Sequence, residues 1–152
     1  MNLTQKPDIV NWPASHFVFI EKIGPFQKTA QKAWQNLIKI LPTLAKKNKI
    51  SGFMSLYKIQ PQMIYRAGVI LDSKPEGLPS GIKYMRFKGG KYSRFILTGS
   101  YENLPEACGR VFAIVEETKI QVRKSFFIEH YLNDPKTTPQ DQLITEIMIP
   151  TK

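Results

Sequence analysis

Two glutamates stand inside otherwise apolar, strand-like runs. Glu129 lies in Phe126-Phe127-Ile128-Glu129-His130-Tyr131-Leu132 and Glu146 in Ile144-Thr145-Glu146-Ile147-Met148-Ile149. A carboxylate set mid-strand is costly to bury unless it is paired, protonated or met by a cation. Strand alternation puts Phe127, Glu129 and Tyr131 on one face and Phe126, Ile128 and Leu132 on the other, so Glu129 sits between two aromatic rings. The Phe126, Ile128 and Leu132 face is the one expected to pack on helices. A carboxylate flanked by aromatics on a concave face suits a lipophilic cation, because ring faces and a desolvated negative charge both attract it. The alternative is a structural ion pair with an Arg or Lys of a neighbouring strand. Register decides a second question: directly opposed, Glu129 and Glu146 share a face and one pKa rises, whereas a one-residue slip sends them to opposite faces.

Other chemistries find less support. His16 and His130 are far apart in sequence and no His/Cys cluster has ligand spacing, so no metal site is expected. Gly89-Gly90 lacks the helix and the lysine of a phosphate loop, and no nucleotide cofactor is expected. A Ser/His/Asp or Cys/His triad would need long-range pairings that no spacing here suggests. Cys108, the only cysteine, falls on an apolar helical stripe and is read as a small buried hydrophobe.

These residues belong to a pattern that the chain contains twice. The first copy runs from Phe17 to Ile23, turns at Gly24-Pro25-Phe26, continues as an amphipathic helix and ends in two apolar runs, Gly52–Ile59 and Met63–Leu71. The second runs from Tyr92 to Thr98, turns at Gly99-Ser100-Tyr101 and ends in Phe126–Leu132 and Leu143–Ile149. The helical stripes are Ala30, Ala33, Trp34, Leu37, Ile38 and Leu41 in one copy, and Leu104, Ala107, Cys108, Val111, Phe112 and Val115 in the other. Pro42 is expected to kink or break the first helix before Lys46. Each pair of apolar runs reads as a hairpin, and 72–81, rich in Pro and Gly, separates the copies. Ile82–Phe87 reads as a further strand that Gly89-Gly90 turns back into the second copy. The expectation is one α+β domain over 1–152, with repeat one about 9–72 and repeat two about 82–150. Its two pseudo-symmetric β-α-β-β repeats would form a curved antiparallel sheet with two helices and a central pocket.

Composition sets limits on partners. No apolar run approaches the roughly 20 residues that span a bilayer, and the first residues lack the basic and apolar stretches of a signal peptide. A cytoplasmic location and no membrane partner are expected. The formal charge of +10 is unusual for 152 residues, but the basic side chains are spread along strand and helix faces. Solvated faces explain that spread, and charge alone does not establish nucleic-acid binding.

The residues resemble a known family, the GyrI-like small-molecule-binding domains, also found as effector-binding domains of bacterial AraC-type and MerR-type regulators. The resemblance is carried by Phe127-Ile128-Glu129-His130-Tyr131, Asn133-Asp134-Pro135 and Thr145-Glu146-Ile147-Met148-Ile149-Pro150, with Gly89-Gly90-Lys91-Tyr92 and Gly99-Ser100-Tyr101 before them. It spans roughly Phe17 to Pro150 and is denser in the second half. It implies two β-α-β-β repeats around a pocket, and an acidic residue that meets cationic, often aromatic, ligands in drug-sensing members. Carried over by position, that residue is Glu129, with Tyr131 beside it and Glu146 as a second acid. Phe127, Tyr92, Tyr57, Tyr65 and Phe17 are candidate wall residues. No helix-turn-helix segment is expected ahead of the first strand, which fits a stand-alone binder.

The leading expectation is therefore a small-molecule binding or multidrug-sensing domain for lipophilic aromatic or cationic compounds, without its own DNA-binding segment. Two alternatives come from the same resemblance. One is a hydrolase of strained, cyclopropane-type natural products, with Glu129 orienting or deprotonating water and Tyr131 donating a hydrogen bond. The other is an interaction protein that acts on a regulator or on gyrase. Haem binding, seen in a structurally related family, would need His16 or His130 as axial ligand.

Overall fold

The computed structural model describes residues 1–152. Nine strands, all in antiparallel pairings, and two α-helices give an α+β architecture in two compact units, residues 13–89 and residues 1–12 with 90–152.

In chain order the strands are β1 (Asn2–Leu3), β2 (Asp8–Trp12), β3 (Ser15–Ile23), β4 (Ile50–Lys58), β5 (Ile64–Leu71), β6 (Lys83–Phe87), β7 (Gly90–Thr98), β8 (Phe127–Tyr131) and β9 (Ile144–Pro150). The helices are α1 (Phe26–Ala45) and α2 (Leu104–Glu117). In the unit 13–89 the strand order is β4-β5-β3-β6. In the other unit it is β7-β9-β8, with β1 and β2 following one another along the other edge of β7.

Two pairings of this topology bear on where the two halves divide. Residues 8–12 pair with β7, Asp8 opposite Arg94 and Trp12 opposite Gly90, instead of leading into the first repeat. Pro13, which has no N–H to give to a ladder, lies between β2 and β3 and ends the first of them. Lys83–Phe87 pairs with β3, not with the second repeat, so the 82–89 segment belongs to the first unit.

The repeat itself is visible in local chemistry. Each first strand ends on a glycine in the left-handed region, Gly24 at φ +126° and Gly99 at φ +134°. That conformation is one other residues rarely adopt, and it turns the chain into the helix. On α1, Ala33, Leu37 and Leu44 are buried, while Ile38, expected on the buried stripe, is exposed. The helix also runs through Pro42 to Ala45 without the expected break. Pro42 and Ile38 lie on the exposed side, where water can satisfy the carbonyl that the ring leaves without a donor. On α2, Ala107, Val111, Ile114 and Val115 pack on Phe95, Leu97, Ile147 and Ile149, with Leu104, Cys108, Phe112 and Phe127 at the margin of this core.

That core fixes which side of the sheet faces the helix. Phe95 stands opposite Ile147, and Ile147 opposite Glu129. The face bearing Phe127, Glu129 and Tyr131 is therefore the helix face, and Ile128 and His130 point the other way. This reverses the expected assignment of the two faces. β8 carries one polar side chain on each face, Glu129 on one and His130 on the other, so alternation alone does not distinguish them.

Candidate functional site

Glu129 sits mid-strand on β8, held where α2 begins to cover the sheet. Its Oε1 accepts a hydrogen bond from the Tyr131 hydroxyl at 2.9 Å, and its Oε2 accepts one from the Cys108 thiol at 3.4 Å. Tyr131 meets the ring of Tyr101 edge-on at 5.5 Å, and Phe127 meets Phe112 in the same manner at 5.4 Å. The carboxyl thus has a phenol and a thiol for partners and aromatic rings nearby. Desolvation by burial pushes its pKa above the usual glutamate value, and these two hydrogen bonds offset only part of that. No basic group contributes to its ionisation. Glu129 nevertheless keeps some contact with solvent.

Glu146 occupies the opposite face. It pairs across the ladder with His130, not Glu129, so the one-residue slip is what occurs. Its Oε1 lies 2.8 Å from His130 Nδ1 and its Oε2 3.1 Å from Arg94, which also reaches Asp8 at 3.3 Å. The His130 hydrogen bond, with further help from Arg94, holds the Glu146 carboxyl below the usual range despite burial. Because an ionised carboxylate only accepts, His130 Nδ1 carries the proton in this bond. Tyr92 is on this second face too, fully buried, its hydroxyl donating to the Phe126 carbonyl at 2.7 Å and Arg123 lying 5.1 Å over its ring. Of the residues picked out in this unit, Glu129, Tyr131 and Phe127 are brought together, whereas Glu146 and Tyr92 are not with them.

The unit 13–89 holds the remaining three. Tyr57 and Tyr65 are on the helix face, and the ring of Phe26 lies 5.4 Å from one and 5.7 Å from the other. The Tyr65 hydroxyl accepts from Trp34 Nε1 at 2.8 Å and shares a hydrogen bond with Ser55 at 2.6 Å. Phe17 is on the other face, fully buried and stacked on Phe19 at 5.4 Å. On that face Glu21 binds Arg66 and Lys83, each at 3.0 Å.

Cys108, Tyr101 and Thr145 also belong to this surrounding, through the thiol bond to Glu129, the ring contact with Tyr131 and the ladder position opposite Tyr131. Cys108 is a hydrogen-bond donor to Glu129 as well as a packing residue. The sequence did contain a signal for it: Trp34 and Cys108, Ser55 and Glu129, and Tyr57 and Tyr131 are three pairs with one common separation between the copies. No group of three or more His, Cys, Asp or Glu side chains is placed to hold a metal ion, and no helix is long and apolar enough to cross a membrane.

No curated protein matches the chain in sequence. Among solved structures, the C-terminal domain of EcmrR aligns over 100% of this chain and 99% of its own, with a TM-score of 0.79 at 16% identity. SAV2435 bound to tetraphenylphosphonium aligns over 97% of this chain and 94% of its own, with a TM-score of 0.76 at 19% identity. A hydrolase from Listeria innocua aligns over 97% and 92%, with a TM-score of 0.63 at 14% identity. At these identities the likeness is one of fold. The family profile of the GyrI-like small molecule binding domain matches residues 5–152. With a match over nearly its whole length, the chain belongs to the GyrI-like family of small-molecule-binding domains.

Proposed function

We propose that the chain binds small lipophilic cations and that Glu129 receives their charge. The observation that carries this reading is the solvation state of Glu129: it is desolvated, held by two weakly acidic donors, and without a basic partner. An ionised carboxylate left so is unfavourable until a cation arrives, so ligand charge and Glu129 charge stabilise each other. The rings of Tyr131 and Tyr101 supply surfaces that attract the same ligand. That SAV2435, of the same fold, binds tetraphenylphosphonium supports the choice of ligand class. The overall positive charge opposes the approach of a cation at long range, but a desolvated carboxylate dominates at contact.

Thermal unfolding with tetraphenylphosphonium tests this. At a ligand concentration near a hundred times the dissociation constant, binding adds about 2.7 kcal/mol to the folded state. The midpoint of the native chain should rise and that of Glu129→Gln should stay put. An equal rise in both chains would remove Glu129 from the site.

A hydrolytic reading has one observation in its favour, the hydrogen bond between a carboxyl of raised pKa and a phenol. A Glu129 base would take a proton from water, and Tyr131 would hold or donate one. Two structural neighbours are hydrolases, which keeps this reading second. Turnover lost in Glu129→Gln while substrate binding survives would place it first.

A further inference from the structure

The two repeats occupy matching positions with different side chains. In the unit 13–89, Trp34 on α1, Tyr65 on β5 and Ser55 on β4 form a chain of hydrogen bonds, indole N–H to phenol to hydroxyl. The matching positions in the other unit are Cys108 on α2, Thr145 on β9 and Glu129 on β8. The match follows from the ladders: Ser55 pairs with Ala67 and Tyr57 with Tyr65, as Glu129 pairs with Ile147 and Tyr131 with Thr145. It follows as well from the helices, where Trp34 and Cys108 each succeed a fully buried alanine, Ala33 and Ala107.

The second copy has thus exchanged an indole for a thiol, a phenol for a small hydroxyl, and a serine for a glutamate. Two aromatic rings and one N–H donor that complete the first copy have no counterpart in the second. Two polar groups register the difference. Glu129 has acceptor capacity beyond its thiol and phenol hydrogen bonds. Thr145, fully buried on the same face of the sheet, has a hydroxyl with no hydrogen-bond partner. A buried hydroxyl left so costs stability, and native proteins pair nearly all such groups.

We infer that the ligand completes the second copy as Trp34 and Tyr65 complete the first: a flat aromatic cation carrying its own N–H donors, its ring beside Cys108 and its N–H groups directed at Glu129 and the Thr145 hydroxyl. This rests on the reading that Glu129 receives a ligand's charge, and it narrows that reading. A quaternary cation satisfies the charge but offers no hydrogen to either oxygen, whereas an arylammonium or amidinium satisfies both. The side chains at 108 and 145 are smaller than Trp34 and Tyr65 at the matching positions, so on this inference specificity is set there and charge selection at 129.

The test compares two bicyclic cations of similar size, protonated 4-aminoquinoline and 1-methylquinolinium, the second having no N–H. Against the whole native chain, titration calorimetry should find the first bound on the order of ten- to a hundredfold more tightly, the difference that hydrogen bonds to a charged group make. Thr145→Val should narrow that ratio. Cys108→Trp, which restores the first copy's indole, should abolish binding of both. Equal affinity of the native chain for the two cations overturns the inference, as does undiminished 4-aminoquinoline binding by folded Cys108→Trp. If Cys108→Trp does not fold, the comparison on the native chain still decides. If the cations bind equally and both are lost in Glu129→Gln, the narrower inference falls while the cation site stands. If neither these cations nor tetraphenylphosphonium bind, both fall.

Discussion

His130 stands directly across the ladder from Glu146, its Nδ1 2.8 Å from the carboxylate, and so takes the place that Glu129 would have needed for the two acids to act together. The consequence is a division of labour between faces. On the face away from α2, Glu146 is ionised and bound by His130 and Arg94. On the helix face, Glu129 has no cation among its partners. Glu146→Gln should therefore cost stability, about 2 kcal/mol for a mostly buried carboxylate with two charge-assisted bonds. Because the folded state lowers its pKa, this contribution is present above the unfolded value near 4.5 and is lost as pH falls through the folded one. Urea unfolding of the two chains should give well separated midpoints at pH 7 that converge in acid. Separation that persists below both pKa values would show that packing, not charge, is responsible.

Glu129 should behave with the opposite sign. Its pKa is raised by burial, so the folded state holds the proton more tightly than the unfolded chain does. The stabilisation is full below the unfolded pKa and disappears as pH rises through the folded one. Glu129→Gln should accordingly be no less stable than the native chain at pH 7, and its stability should vary less with pH across that interval. A cation that needs the carboxylate should lose affinity by about tenfold per pH unit once the pH is below the folded pKa, beginning at a higher pH than an ordinary glutamate would give. Affinity flat down to pH 4.5 would place the charge recognition elsewhere.

Much of this was legible in the sequence because two copies reinforce each other. Gly24 and Gly99, the paired apolar runs and the helical stripes fix strand, turn, helix and hairpin in each half. The faces of β8 were not legible, since Phe127 and Ile128 are both good core residues and five residues of alternation carry no sign. Nor was the register: only the His130–Glu146 pairing separates the two acids, and that is a long-range choice. The pairing of Asp8–Trp12 with β7 is not legible for the same reason, because partners about eighty residues apart in sequence leave no local trace. Glu129 stood out in the sequence because a charge inside an apolar run must be compensated, whereas Cys108 and Thr145 did not because small residues are unremarkable singly. Their meaning emerges only beside Trp34 and Tyr65.

Gly68 on β5 is a purely structural position and gives a control unrelated to the site. A Cβ there would stand 2.6 Å from ring carbons of Phe17 and closer still to the Val18 carbonyl oxygen. Phe17 is fully buried and cannot swing away, and the carbonyl is part of the β3 ladder. Gly68→Ala should destabilise by about 3 kcal/mol, at the upper end for overpacking, with an unchanged denaturant slope. Adding Phe17→Leu should recover only part of the loss, since the clash with the carbonyl remains. Full recovery would mean that the ring alone sets the limit.

Trp34 holds in the first copy the place that Cys108 holds in the second. If the indole of Trp34 stands where a ligand ring stands in the second copy, then removing it should leave a place that a small aromatic with an N–H can refill. Trp34→Ala should lose about 3 kcal/mol, the low end for a large aromatic because Trp34 is only partly buried. Indole itself, which carries both the ring and the donor to Tyr65 that the variant lacks, should then raise the midpoint of Trp34→Ala well above its effect on the native chain. Benzofuran has the same shape without the N–H, so it should rescue less. The gap between the two rescues measures the hydrogen bond to the Tyr65 hydroxyl. Equal rescue by both would mean that ring packing alone fills the position, and would take away the reason for expecting a donor on the ligand of the second copy. A variant that neither compound stabilises would show that α1 closes over the vacancy, and the two copies would then share their geometry without sharing a way of holding an aromatic ring.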